Sequence, residues 1–477
     1  MPTAPRRIYL LDPQKLSPET IAVTFAKTSR SPEPFDQIAA ELTEKKSAEF
    51  HEKWVVGYGH SSVAEHAILH IAVENVSRLA VENLESNRLA SYTEKSTRYQ
   101  KWDSDQFYIP EELQGHSLSD EYQETCSELM ALYLESLPAV KEVVQRETPR
   151  QPEETEGSYE RRIRSDYIDV CRYFLPASCL ANVGVTINAR ALEHAISKML
   201  TSPLAEVQKM GQEIKNVTQA EVPTLVKYAN HLPYLEKTAQ SLSDYIQKFE
   251  TLKTSPNSQD WCRLVSFDSE NEKRLLTAAL YRFSSLSYAQ IEHQIDALSV
   301  EQTQDLAASL LRNLGRFDIP LRELEHTFFT FDLTLDQGAY FELKRHRMMT
   351  QTPQAFSTDL GYALPRRMVT AGLESIYHQA MHKAQNTYQH LAKFNSQVAQ
   401  YVLPNAFNRR VLLSFNLRTA IHMLGLRSAP NAHFAMRRVA HRIADEINAC
   451  SPLAGGLLRL PDNETWQSIE QAHFKIF

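Results

Sequence analysis

SNRLASYTEKSTRYQ (residues 86–100) and RHRMMTQTPQAFST (residues 345–358) read as one segment written twice and damaged at opposite ends. Superposed, Arg88 falls on Arg347 and Ser91 on Thr350. The early copy keeps Ser96 and Arg98, where the late copy has Ala355 and Ser357. The late copy keeps Arg345 and His346, where the early copy has Ser86 and Asn87. Losses divided in this way predict one shared site, built from the tail of one copy and the head of the other.

The repetition extends outward from these segments. Glu65-His66 and Glu325-His326 each precede an apolar stretch, AILHIAV (67–73) and TFFTFDLTL (327–335). Their period-two patterning and β-branched or aromatic content predict strands. A helical pattern then leads into each basic segment. Farther on, residues 174–200 resemble 402–427: Leu-Pro, a short strand, then Asn-x-Arg-x-x-x-His opening a helix. The matched residues are Asn188, Arg190 and His194 against Asn416, Arg418 and His422. Long amphipathic helices are expected near 203–220 and 432–450. The fold class is therefore α+β, as two tandem copies of one unit over 200 residues long. The expected boundaries are 1–240 for the first unit, 241–259 for a linker and 260–477 for the second. The early copy carries about thirty extra residues, including RETPRQPEETEGSYERR (146–162), expected to be an exposed helix–helix connection.

Bulk properties narrow the class. The chain has 477 residues, a net charge of −7 and 43% apolar residues, with a pI near 6.2. That balance argues against a nucleic-acid face. No apolar run approaches the ~20 residues of a membrane span, and no secretory leader is evident at the N-terminus. Five dispersed cysteines without a CxxC pair fit reduced thiols, so a cytoplasmic location is expected.

The chemistry-bearing residues are basic. Arg345-His346-Arg347 offers guanidinium forks suited to phosphate oxygens; alone, such a triplet is more often a solvated turn. Ser96 and Arg98, two apart on an extended loop, form a second weak signal. Arg172 stands three residues before Leu175-Pro176, where the other copy has Gln400 before Leu403-Pro404. Arg427 stands nine residues after Arg418, where the other copy has Met199 after Arg190. Each copy again keeps what the other has lost, which four independent surface arginines would not do. His66 and His70 have metal-like spacing but lie on a predicted strand, and His378 and His382 lack a third ligand; no metal is expected. All five cysteines read as core or inert.

Together, GHSSVAEH (59–66), SRLAVENLESNRLASYTEKSTRYQ (77–100), the Arg345–Arg347 triplet and NLRTAIHMLGLR (416–427) resemble flavin-dependent thymidylate synthase, whose fingerprint is RHRxxSxxxxSxR. The early copy matches it at Arg88, Ser91, Ser96 and Arg98. The late copy matches it at Arg345, His346 and Arg347, with Thr350 for the first Ser. The resemblance implies helices around a small antiparallel sheet, and homotetramers with active sites between subunits. Here two chains would form a homodimer that is a pseudo-tetramer of units, each chain holding one competent site and one dead one.

The resemblance further implies FAD-dependent methylation of dUMP at C5, with methylenetetrahydrofolate and NADPH as co-substrates. It assigns Glu94, Lys95, Ser96, Thr97, Arg98 and Arg172 to one side of the dUMP site, and Arg345 and Arg427 to the other. Arg427 would be catalytic, facing the pyrimidine. FAD contacts would fall on Ser62, Glu94, Arg345, His346, Arg347, Asn416, Leu417, Arg418 and His422, with His60 on the folate and NADPH side. The reciprocal site would use Ala355, Ser357, Gln400, Ser86 and Met199, which cannot hold a phosphate. Three departures stand out. Glu342 replaces a nucleotide-touching Gln, His422 and His194 replace an Asn, and the late copy reads IPLRELEH in place of GHxxxxEH. Glu342 raises the alternative of a related C5 alkylation, such as hydroxymethylation of another pyrimidine nucleotide. A non-catalytic flavin- or nucleotide-binding homologue is the third reading.

Overall fold

The computed structural model describes residues 7–29, 31–57, 60–98, 100–249, 260–315, 318–461 and 463–475. Gly59 and residues 250–259 of the expected linker lie outside them. The helix Pro233–Gln247 runs across residue 241. The chain forms two compact units. One comprises Met1–Lys95, Tyr108–Ser117 and Cys179–Lys253; the other comprises Ser96–Phe107, Leu118–Ser178 and Thr254–Phe477.

The first unit is built on a three-stranded antiparallel sheet of β1 (Ile68–Ser77), β2 (Ala90–Glu94) and β3 (Leu180–Asn188), in the order β1-β3-β2. In the second unit β4 (Cys262–Phe267), β5 (Phe328–Asp336), β6 (Thr350–Pro353) and β7 (Asn408–Asn416) are ordered β4-β5-β7-β6. Setting aside β4, the sheets match strand for strand. Ile68 pairs with Asn188 as Phe328 pairs with Asn416, and Ser91 pairs with Thr186 as Thr350 pairs with Ser414. The superposition of Ser91 on Thr350 is therefore a register in the fold. Alternation drives it: Phe329, Phe331, Leu333 and Leu335 point inward on β5 and are buried. Each contributes roughly 1.5–3 kcal/mol, and Phe331 stacks on Phe415 at 5.7 Å.

The turns into the helices also repeat. Ser77 accepts from the Ala80 amide to cap helix Arg78–Leu84, and Asp336 accepts from the Ala339 amide to cap Gln337–Leu343. Asn188 and Asn416 likewise cap Ala189–Leu200 and Leu417–Arg427 through the Ala191 and Thr419 amides. Such a cap satisfies one amide that has no partner within its helix. The amphipathic helices span Ala205–Thr218 and Phe434–Cys450.

One expectation needs correction. The charged run 146–162 is not connection throughout. Helix Ser119–Glu147 includes its start, and Thr155 caps a second helix, Glu156–Cys171, that takes its end. The Thr155 side chain accepts from the Ser158 amide, so the connection is short. No helix among the described residues is long and apolar enough to cross a membrane.

Candidate functional site

Segment 96–98 leaves the end of β2 through a turn in which the Ser96 hydroxyl accepts from the Arg98 amide at 3.2 Å. This tight geometry replaces the extended loop expected there. It delivers the Arg98 side chain to Asp169 on helix Glu156–Cys171. Nε of Arg98 lies 2.9 and 3.0 Å from the two carboxylate oxygens and Nη2 lies 2.7 Å from Oδ2. Its Nη1 donates to the Asn431 carbonyl at 3.1 Å.

Arg172, at the end of the same helix, is buried. Its Nη1 donates to Thr97 Oγ1 at 3.3 Å, its Nη2 to Glu342 Oε1 at 3.0 Å, and its Nε lies 3.5 Å from Asp169 Oδ1. Glu342 sits on the helix leading into the Arg345–Arg347 triplet. Its second oxygen accepts from Arg427 Nη1 at 3.1 Å. Arg427 also donates from Nη2 to the Glu342 carbonyl at 3.1 Å and from Nε to His346 Nε2 at 2.9 Å. Arg98, Arg172, Glu342, His346 and Arg427 thus belong to one continuous network inside the second unit. The early repeat contributes the first two and the late repeat the other three.

Electrostatics fix the protonation states. Burial would raise the Glu342 carboxyl, but Arg172, Arg98 and Arg427 outweigh it and hold the group below its ordinary range. Burial, with Arg427, His422 and Arg345 nearby, pushes His346 down to about 3. An arginine Nε can only donate, so His346 Nε2 is the acceptor and the neutral ring carries its proton on Nδ1. His433 is buried under the same arginines. Desolvation, then Arg172 and Arg98, hold it well below its usual value. Its Nδ1 accepts from the Ala435 amide at 3.3 Å, capping helix Phe434–Cys450.

The other candidate residues are distributed as follows. Arg345 is exposed and Arg347 half-buried at the rim of this network, and the exposed His422 ring lies 6.0 Å from His346. Asn416 is engaged as a helix cap and Leu417 is fully buried. Arg418 pairs with Glu325 at 2.5 Å and donates to the Pro320 carbonyl at 3.0 Å. In the first unit, Glu94 forms a buried ion pair with Arg78, and the Lys95 amide donates to the Asn182 carbonyl. His60 and Ser62 line a cleft of about 680 Å³ whose walls include Phe25, Phe50, Trp54 and His66.

Sequence reasoning missed Asp169 and His433, and it left the role of Glu342 open. Asp169 and Arg172 at i, i+3 on one helix were the available signal. The matching positions Gln397 and Gln400 are also bonded, amide to amide, at 2.9 Å. Gln400 additionally accepts from the Phe356 amide at 3.1 Å, and Met199 is fully buried. All five cysteines are free and four are buried, with burial pushing Cys126 and Cys171 up to about 12. Among the described residues no group of three or more His, Cys, Asp or Glu could hold a metal ion.

Comparison with known proteins identifies the family. The family model for thymidylate synthase complementing protein matches twice, at residues 11–224 and 263–453. A UPF0159 protein of Chlamydia muridarum is 30% identical over 441 residues, covering 88% of this chain and 82% of the relative. A flavin-dependent thymidylate synthase of Clostridium tetani is 29% identical over 214 residues, covering 45% of this chain and 82% of that enzyme. A solved flavin-dependent thymidylate synthase from Helicobacter pylori, complexed with FAD and dUMP, is 18% identical with a TM-score of 0.32, covering 42% of this chain and 100% of its own. Two successive matches to one family model explain the doubled sheets, caps and motifs, and the chain belongs to the flavin-dependent thymidylate synthase family of enzymes as a tandem duplication.

Proposed function

We propose that the protein converts dUMP to dTMP by FAD-dependent reductive methylation, at one composite site per chain. The observation that carries this reading is the network that joins Arg98 to Arg172 through Asp169, and Arg172 to Arg427 through Glu342. Three guanidiniums (Arg98, Arg172 and Arg427) face two carboxylates, Asp169 and Glu342, with Arg345 exposed at the rim. The excess positive charge suits a dianionic monophosphate.

In this reading Arg98 with Ser96, Thr97 and Lys95, Arg172 and Arg345 hold the phosphate. Arg427 faces the pyrimidine and stabilises negative charge developing at N3 and O4, which makes C5 nucleophilic. His346, being neutral, offers its Nδ1 proton as a hydrogen-bond donor without adding charge. Arg345, Arg347 and His422 at the rim fit a cofactor that carries phosphates, with Arg418, Asn416 and Leu417 shaping the helix behind them. The aromatic cleft lined by His60 and Ser62 fits a planar ring system, with Ser62 toward FAD and His60 on the folate and NADPH side. Glu94 contributes from the early repeat. Bound reduced FAD would supply the hydride, with methylenetetrahydrofolate as carbon donor and NADPH as electron source. Repeats 1–240 and 260–477, joined by 241–259, would pair in a cytoplasmic homodimer.

The test is NADPH oxidation by purified protein loaded with FAD, with and without dUMP, alongside detection of dTMP. Stimulation by dUMP with dTMP formation is expected. Glu342 favours one second reading, a related C5 alkylation, which would give a hydroxymethylated pyrimidine nucleotide identifiable by mass spectrometry. Flavin and nucleotide binding without turnover would instead mark a non-catalytic homologue.

A further inference from the structure

The carboxylates of this network share the fate of its arginines. Ser77 and Asp336 cap equivalent seven-residue helices, Arg78–Leu84 and Gln337–Leu343, so Asn83 is the counterpart of Glu342. Asp169 and Arg172 are mirrored by Gln397 and Gln400, which make a neutral version of the same i, i+3 contact. Where the arginines are absent, both acids have become amides. A carboxylate kept for helix packing alone would have no reason to follow the guanidiniums.

Glu342 is also unusually placed. It is buried, and its two oxygens divide between Arg172 of the early repeat and Arg427 of the late one, at 3.0 and 3.1 Å. We infer that Glu342 is a specificity-determining internal anion: it occupies the arginine pair when no ligand is bound, and an incoming phosphate must compete with it for Arg172, leaving Arg427 to the pyrimidine. Such a site discriminates by charge. A phosphomonoester dianion recovers what the arginines lose when Glu342 is displaced, whereas a monoanion such as a phosphodiester recovers only part. The class of ligand selected is therefore the terminal phosphomonoester. This deepens the nucleotide reading above and rests on it for the identity of the ligand, but the anion competition can be measured without any nucleotide.

The experiment measures binding of inorganic phosphate to the full-length protein by calorimetry, at mildly alkaline pH where phosphate is dianionic. Glu342→Gln preserves shape and removes the charge. It is expected to tighten phosphate binding by about tenfold or more, with a steeper salt dependence. Glu342→Asp, which keeps the charge, should remain near wild type. A purely structural residue would give the opposite sign, so unchanged or weaker binding in a folded Glu342→Gln protein overturns the inference. Should that variant not fold, Asp169→Asn removes the other carboxylate of the network, which faces Arg172 and Arg98, and is read the same way. Failure of both to fold also overturns it, in favour of an obligatory structural ion network. A parallel titration with dUMP separates the two readings. Tighter phosphate binding with no added affinity for dUMP leaves this inference standing and sinks the nucleotide assignment.

Discussion

Arg427 and Glu342 are joined twice, from Nη1 to the carboxylate and from Nη2 to the main-chain carbonyl, each at 3.1 Å. The second bond does not depend on the charge of the glutamate. It aims the guanidinium from the backbone, while the bond to His346 fixes its third nitrogen. An arginine so constrained has one orientation available, which is what a group facing a reacting ring requires.

Arg427→Ala should therefore abolish turnover, and so should Arg98→Ala, which removes one of the two arginine partners of Asp169. Arg427→Ala also leaves part of a buried carboxylate unpaired, a change that costs about 3–5 kcal/mol when a buried pair is broken outright. A melting curve must accompany the assay. Arg88 is exposed, and its matching site lacks the arginines. Arg88→Ala should keep most activity. Inversion of that order would move the live site to the other pairing of repeats.

The repeated ties outside the network should divide by chemistry. Glu65–Arg190 and Glu325–Arg418 are both 2.5 Å ion pairs between partly exposed side chains. Breaking either, as Glu65→Gln or Glu325→Gln, should cost under about 1 kcal/mol. Asn188→Ala and Asn416→Ala each strand a helix-terminal amide and should cost about 1 kcal/mol, up to 2. Urea denaturation of the four variants checks the ranking. A larger loss at Glu325 than at Asn416 would assign the glutamate a role beyond tying two elements together.

Stability should fall with acid earlier than carboxylate protonation alone would dictate. Burial holds His346 and His473 at about 3 and His433 well below its ordinary value. In the unfolded chain each returns to about 6.5. The unfolded state then binds more protons below that pH. The stabilisation is fully present above 6.5 and is lost as pH falls toward the folded values, at about 1.4 kcal/mol per pH unit for each histidine. Glu342, held low in the folded state, adds the same sign only below its unfolded value near 4.5. Chemical denaturation between pH 7.5 and 5.5 should show the loss. His346→Gln should flatten the slope by about one proton, and an unchanged slope would mean that the ring is charged in the native protein.

The duplication was legible because its marks are local. Strand alternation, Leu-Pro turns and Asn-x-Arg motifs each occupy a few residues, and all returned as matching strands and caps. The arginines were legible for another reason: their absence in one copy highlighted their presence in the other. The acids were harder. Asp169 lies amid a run of charges on helix Glu156–Cys171, where an exposed acid is the ordinary expectation. Only folding shows it buried against Arg98, 71 positions away in sequence. Glu342 was visible as a departure, but a carboxylate near phosphate-binding arginines reads as repulsion until its two oxygens are seen to bridge Arg172 and Arg427. Asn416 carries a second role that its motif did not announce. The resemblance implies a cofactor contact, and the Asn416 side-chain oxygen also caps the helix that carries Arg427.

Flavin stoichiometry tests the composite site most directly. Family units that each held a complete site would bind two flavins per chain. Here Gln400 and Met199 occupy the places that correspond to Arg172 and Arg427. Gln400 is bonded to Gln397 and the Phe356 amide, and Met199 is sealed in the core. Neither side chain is a cation, and the buried place of Met199 leaves no room for a guanidinium and its counter-ion. About one FAD per chain is therefore expected from the absorbance of reconstituted protein. Arg427→Ala should lower nucleotide binding without creating a second class of flavin site. Two equivalent flavins per chain would mean that each repeat completes its own pocket, and the division of arginines between the copies would then need a different cause.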